Sequence, residues 1–251
     1  MTCSFYYYEI VLTNSIQGYE MKLKSPIKLI IFLVSTLFVS SQGFSDTTTG
    51  VPDKAIDLSG LASQLGKSLS EKKVPGFSQA DVKAAMEKKS KTATQLAAVF
   101  PEEKTRKDME KLYNLALFTH QQSEVLLGIP KNDIYGALGA FLYGNWSSYN
   151  NGKVVADKYL PTVVKDIKGL FESTDFAKKF KESSKAEQKL AYEEFAIIGN
   201  WMIIMQAQLK KEPNAEASEK LKSLATEYFA KLQMKPGQFN ISDKGHIELS
   251  Q

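Results

Sequence analysis

The amino-acid sequence predicts an all-α fold, and three observations support this prediction. Apolar residues recur at helical spacing from about residue 78 to residue 232, residues typical of helix ends separate these stretches, and none shows sustained alternation of apolar and polar residues. We therefore expect a compact bundle of about six to seven helices around two apolar central helices, preceded by a cleaved signal peptide.

The ends of several helices are visible in the sequence. Ser78 with Asp81 has the pattern of a capping box and predicts a helix that runs to about residue 100. The next helix, over 101–127, ends before a Gly-Ile-Pro tripeptide. Ser184 with Glu187 forms a second capping box. The remaining helices are predicted over 131–150, 162–171, 173–180, 184–211 and 214–232, before a short extended tail.

Two of the predicted helices are apolar on nearly every side, over 134–146 and 195–205. Both are too short to cross a membrane, and a helix of this kind usually lies in a protein core. Gly136, Ala140 and Gly144 recur every four residues and give one smooth ridge for close packing. We therefore expect these two helices to form the central pair of the bundle.

The sequence that begins at Met21 has the three parts of a secretory signal peptide. An apolar stretch over 29–39 follows three basic residues, Lys22, Lys24 and Lys28. Small residues then allow cleavage after Gly43 or after Ser45. The predicted location is therefore periplasmic or secreted, with no stable membrane span after cleavage.

These features predict the organisation of the whole chain. Residues 1–20 precede a complete signal peptide and contain no Lys or Arg, so we interpret them as an upstream extension from a misassigned start codon. The predicted units are the extension 1–20, the signal peptide 21–45, a linker with a weak helix 46–75 and the helical domain 76–251.

Composition argues against several classes of function. The chain has 32 basic and 28 acidic residues and a formal net charge of +4, and the two signs are interspersed, which argues against a nucleic-acid partner. Arg106 is the only arginine, which disfavours bidentate recognition of phosphate or carboxylate groups. Cys3 is the only cysteine, so neither an intrachain disulfide nor a cysteine-based zinc site can form.

Five segments of the chain share a combination of motifs: Gly-Ile-Pro-Lys-Asn-Asp at 128–133, Gly-Asn-Trp at 144–146, the connector 171–180, Gly-Asn-Trp at 199–201 and Asp-Lys-Gly at 243–245. Together they resemble an exported helical domain family of bacteria that is catalogued only as a domain of unknown function. The resemblance covers about residues 76–248 and implies a helical fold and export, and the family has no characterised catalytic residues to carry over.

The repeated Gly-Asn-Trp tripeptide supplies the candidate site residues, Asn145, Trp146, Asn200 and Trp201. In one interpretation the two asparagines face each other in a ligand pocket that the tryptophans line. In the favoured interpretation, glycine allows close helix packing, asparagine makes a buried hydrogen bond that fixes register, and tryptophan fills the core. Trp201 is then expected to be almost fully buried against the 134–146 helix.

His120 and Glu124 are one helical turn apart, a spacing at which two metal ligands could meet. A carboxylate-bridged metal site needs further histidine and glutamate ligands, and His246 in the tail is the only other histidine. We therefore expect a half-exposed polar pair, with no metal, no cofactor and no catalytic residue.

The predicted function is a non-catalytic protein-interaction or binding module of the bacterial envelope, whose partner is another envelope or secreted protein. One alternative is a carrier that holds a small apolar ligand in a cavity between the central helices. A second alternative is an envelope hydrolase that uses a pair of acidic residues. The doublet Glu193-Glu194 is expected to lie on the solvated face of its helix, and Glu102-Glu103 to favour a helix start.

Overall fold

In a computed structural model, residues 78–232 and 234–250 are described, and they form eight α-helices and one β-hairpin. The all-α fold class is therefore confirmed, while the predicted extension, signal peptide, linker and weak helix (residues 1–75) lie outside the described residues. The helices are α1 (Gln79–Glu87), α2 (Lys91–Ala97), α3 (Glu103–Leu127), α4 (Ile134–Tyr149), α5 (Leu160–Phe171), α6 (Asp175–Glu182), α7 (Lys185–Lys211) and α8 (Ala215–Lys231).

Both predicted capping boxes are present, at the starts of α1 and α7. The helix expected from Ser78 to about residue 100 is instead divided into α1 and α2. The chain turns to an extended conformation at Lys88, and the Ser90 side chain accepts a hydrogen bond from the backbone N–H of Ala93. A second N-cap inside the predicted helix therefore explains why there are eight helices rather than six or seven.

The central pair consists of α4 and α7, as the apolar sequences predicted. Their backbones touch, because a Cβ atom placed on Gly144 would overlap the carbonyl group of Gly199. A Cβ atom on Gly199 would likewise overlap the backbone of Ala140 and Phe141. Ala140 and Gly144 thus form the predicted ridge, whereas Gly136 faces Ile129 in the preceding loop.

The tail forms a hairpin that the sequence did not reveal. Strands β1 (Phe239–Ile241) and β2 (Ile247–Leu249) pair in antiparallel register. The indole N–H of Trp146 on α4 donates to Asn240, and Asp166 on α5 accepts hydrogen bonds from the Ile247 amide and from the His246 ring, each over 3.1 Å. Side chains distant in sequence therefore hold the hairpin, which explains why local periodicity did not predict it.

Candidate functional site

The four candidate residues lie on the two central helices, but the two asparagines do not bond to each other. The side-chain amide of Asn145 donates to the carbonyl oxygen of Phe141 over 2.8 Å. The side-chain amide of Asn200 donates to the carbonyl oxygen of Ala196 over 3.0 Å and to Nδ1 of His120 over 3.1 Å. Only the glycines of the two Gly-Asn-Trp tripeptides face each other across the helix crossing.

The two tryptophans occupy different environments. Trp146 is buried in the core, with 1% of its surface exposed. The expectation that Trp201 is almost fully buried against α4 is wrong, because Trp201 is half-buried and its ring contacts Tyr113 of α3 at a centroid distance of 6.2 Å. Gly199 faces α4, and two further residues turn the helix by about 200°, so Trp201 must point away from α4.

His120 and Glu124 are buried rather than half-exposed, with 3% and 1% of their surfaces exposed. They lie on the side of α3 that faces α7, where they meet Asn200 and Tyr192. Nε2 of His120 lies 3.5 Å from Oε1 of Glu124, and the His120 and Tyr192 rings lie 5.6 Å apart. Contacts with polar groups inside the protein, including the hydrogen bond between Asn200 and Nδ1 of His120, replace the predicted solvation of the pair.

Asn200 determines which ring nitrogen of His120 carries the proton. Its side-chain nitrogen can only donate, and it already donates to the carbonyl oxygen of Ala196. Nδ1 of His120 must therefore accept, so that the proton of the neutral ring lies on Nε2, toward the Glu124 carboxylate. Both ring nitrogens are consequently directed at groups inside the protein.

Glu124 holds the loop between α3 and α4 through both of its carboxylate oxygens. Oε2 accepts the amide of Asn132 and Oε1 accepts the amide of Asp133, each over 3.1 Å. Burial by itself would raise the pKa of Glu124, but the neighbouring His120 ring, the Asn132 amide and the Tyr192 hydroxyl together lower it. An ionised carboxylate thus fixes a loop in which Asn132 has a positive φ of 60°.

Tyr192 completes the network from the α7 side. Burial raises the pKa of its hydroxyl group, and the negative charge of Glu124 raises it further, so the hydroxyl stays protonated. His120, Glu124 and Asn200 therefore link α3, α7 and the α3–α4 loop, and the Tyr192 ring packs beside His120. This arrangement stabilises one geometry of the loop and presents no ring nitrogen of His120 to a substrate in solvent.

The acidic doublet Glu193-Glu194 is also buried, which corrects the expectation of a solvated face. Each residue is 8% exposed. Glu193 accepts a short hydrogen bond from the Thr92 hydroxyl and pairs with Lys189 over 3.3 Å. Glu194 makes no hydrogen bond or ion pair with any described residue, and burial raises its pKa to about 8. The apolar stretch that begins at Phe195, directly after the doublet, was the signal in the sequence that this part of α7 is buried.

Neither a metal cluster nor a membrane-spanning helix is found in the described part of the chain. Within residues 78–232 and 234–250, no group of three or more His, Cys, Asp or Glu side chains is placed to hold a metal ion. Among the helices of this same part of the chain, none is long and apolar enough to cross a membrane.

Comparison with known proteins gives one match. No curated protein and no solved structure matches the chain. Residues 61–247 match the family described as "Family of unknown function (DUF6683)", and this range begins before the resemblance expected over about 76–248. Because the match covers well over half of the sequence, the chain belongs to this family of unknown function.

Proposed function

We propose that the protein is an exported, non-catalytic module that binds another envelope or secreted protein. Its only buried histidine–carboxylate pair within the described residues serves the fold, because the His120 ring is directed at Asn200 and Glu124. The carrier alternative has less support, since the central helices touch at Gly144 and Gly199 and leave no space at that crossing. The hydrolase alternative has less support because Glu193 and Glu194 occupy separate environments.

The observation that carries this proposal is an exposed apolar corner at the end of α3. We define the apolar corner as Val125, Leu126, Ile129 and Pro130. Val125 is 69% exposed and Leu126 is 47% exposed. Large apolar side chains that are exposed beside one another favour a contact with a partner more than isolated ones do.

The apolar corner is held in one conformation before any partner binds. Gly128 ends α3 in the left-handed conformation with a φ of 66°, and the amide of Ile129 donates to the Glu124 carbonyl oxygen over 2.8 Å. The Glu124 carboxylate then fixes the following residues through the amides of Asn132 and Asp133. A surface that is already ordered loses less conformational entropy on binding, which favours affinity.

The positive charge beside the apolar corner indicates what kind of surface a partner would present. Lys131 is exposed next to the apolar corner and is the only charged residue in the segment 125–132. A complementary partner would present an apolar patch with a carboxylate at its rim. Such a pairing would place the apolar contact at the centre and the ion pair at the edge, as in other interfaces.

The apolar corner is tested by crosslinking in the producing cells, with three forms of the full chain. Leu126→Asp should reduce recovery of a specific crosslinked partner by about tenfold or more, because a charge would enter the contact. Val154→Asp is the matched control, since Val154 is 59% exposed and lies after α4. Equal recovery of the same partner with wild type, Leu126→Asp and Val154→Asp would exclude the apolar corner as the binding surface.

Export is tested by N-terminal sequencing of protein purified from the envelope or the medium. The basic residues and short apolar stretch predict a mature chain that begins at Phe44 or Asp46. A mature chain that retains residues 29–39 would instead indicate an uncleaved anchor. Recovery of the protein only from the cytoplasm would contradict export itself.

A further inference from the structure

The first turns of α4 lie against both the apolar corner and the helix α5. Ile129 of the apolar corner packs on this part of α4, because its Cγ2 atom lies 3.0 Å from a Cβ atom placed on Gly136. Helix α5 packs one turn further along, where a Cβ atom placed on Gly139 would lie 3.3 Å from the Val164 side chain. Glu172 follows α5 directly and is exposed.

The direction of α5 brings Glu172 toward the apolar corner. Val164 lies beside Gly139, whereas the later residue Glu172 acts on the earlier residue Tyr135. Burial and, after it, the negative charge of Glu172 raise the pKa of the Tyr135 hydroxyl group. The end of α5 therefore lies beside the start of α4, at the end of the molecule that carries the apolar corner.

The apolar corner thus has an exposed charge of each sign in its neighbourhood. Lys131 is exposed next to it in the α3–α4 loop, and Glu172 is exposed at the end of α5. Neither side chain forms an ion pair with another described residue. This surface consequently offers what the apolar corner requires of a partner, namely exposed apolar side chains with a carboxylate at the rim.

From this combination we propose that the apolar corner binds the apolar corner of a second copy of this chain, with Lys131 of each copy beside Glu172 of the other. A twofold axis allows this arrangement, because a symmetric dimer interface needs a surface that complements itself. The apolar contact lies at the centre, and the two ion pairs at the rim fix the orientation. The proposal rests on the proposed function, since it takes the apolar corner as the binding surface and names the partner.

Self-association is measured by sedimentation velocity of the purified full chain. The surface is small, so we expect a reversible equilibrium of monomer and dimer with a dissociation constant of about 10–100 µM. Leu126→Asp should weaken the dimer by about tenfold or more, because a charge would enter the apolar centre. Val154→Asp is the matched control and should change the dissociation constant by less than about twofold.

Charge reversal tests the ion pairs themselves. Lys131→Glu and Glu172→Lys should each weaken the dimer by about tenfold, because like charges would then face each other twice. An equal mixture of the two variants should associate about as tightly as wild type, since every pairing in the mixed dimer again joins opposite charges. Circular dichroism confirms that each variant folds.

The outcomes separate this proposal from the proposed function. A protein that stays monomeric up to about 1 mM, or single charge variants that dimerise as tightly as wild type, would overturn the proposal. If the monomer is crosslinked in the cells to a different protein, and Leu126→Asp abolishes this, the proposed function stands and the second copy is excluded. A monomer without any crosslink that depends on Leu126 would overturn both.

Discussion

Replacement of Gly199 by alanine is expected to lower the free energy of unfolding by about 3 kcal/mol or more, the largest effect of any conservative change in the core. The added methyl group would overlap the backbone of Ala140 and Phe141, and backbone atoms cannot rotate away as a side chain can. The central helices would have to separate, which would loosen every contact between α4 and α7.

A second glycine provides the control for this experiment. Gly169 lies in α5, and a Cβ atom placed there would meet no atom within 4 Å. Gly169→Ala should therefore stabilise the protein by about 0.5–1 kcal/mol, since alanine favours a helix over glycine. Urea denaturation followed by circular dichroism measures both variants. A Gly199→Ala protein as stable as wild type would show that α4 and α7 are not in backbone contact.

Replacement of Glu124 by glutamine is expected to lower the free energy of unfolding by about 1–3 kcal/mol or more, although the side chain keeps its size. The two carboxylate oxygens accept different amides, those of Asn132 and Asp133. Glutamine has only one oxygen, so its NH₂ group would face a backbone N–H and leave a buried donor without an acceptor. The loop that carries the apolar corner would be the first element to loosen.

Dependence on pH distinguishes this effect from a simple packing defect. The pKa of Glu124 is lowered in the folded protein, so its contribution is present above its ordinary value of 4.5 and is lost as the pH falls through the lowered pKa. The difference in stability between wild type and Glu124→Gln should therefore shrink on acidification. Glu216→Gln is the control, because the Glu216 side chain is 69% exposed. This variant should change the free energy of unfolding by less than about 0.5 kcal/mol. A difference that is independent of pH would contradict the ionised state of Glu124.

The parts of the fold that the sequence predicted are those that local chemistry determines. Both capping boxes mark the helix starts correctly, because each involves residues only three positions apart. The central pair was predictable as well, since apolar residues on every side of a helix leave burial as the stable arrangement. The close contact of Gly144 with Gly199 followed from small residues at helical spacing.

The candidate site was less predictable because long-range contacts create it. His120 and Asn200 are separated by 80 residues, and nothing in the local sequence indicates that they meet. Glu193 and Glu194 resemble a solvated doublet until Thr92 of α2 is known to cover one of them. The direction of Trp201 depends on the rotation of α7 about its axis, which is set by the contact of Gly199 with α4.

The central claim is that the only buried histidine of the described chain serves the fold, with both ring nitrogens directed at internal partners. The most direct measurement is the ¹⁵N NMR spectrum of the two histidine rings, with exposed His246 as the internal reference. We predict that His120 is neutral, carries its proton on Nε2 and exchanges that proton slowly with solvent, because Asn200 donates to Nδ1 and Glu124 faces Nε2. A proton on Nδ1, or an Nε2 proton that exchanges as fast as the ring protons of His246, would contradict the claim and would make His120 available for chemistry.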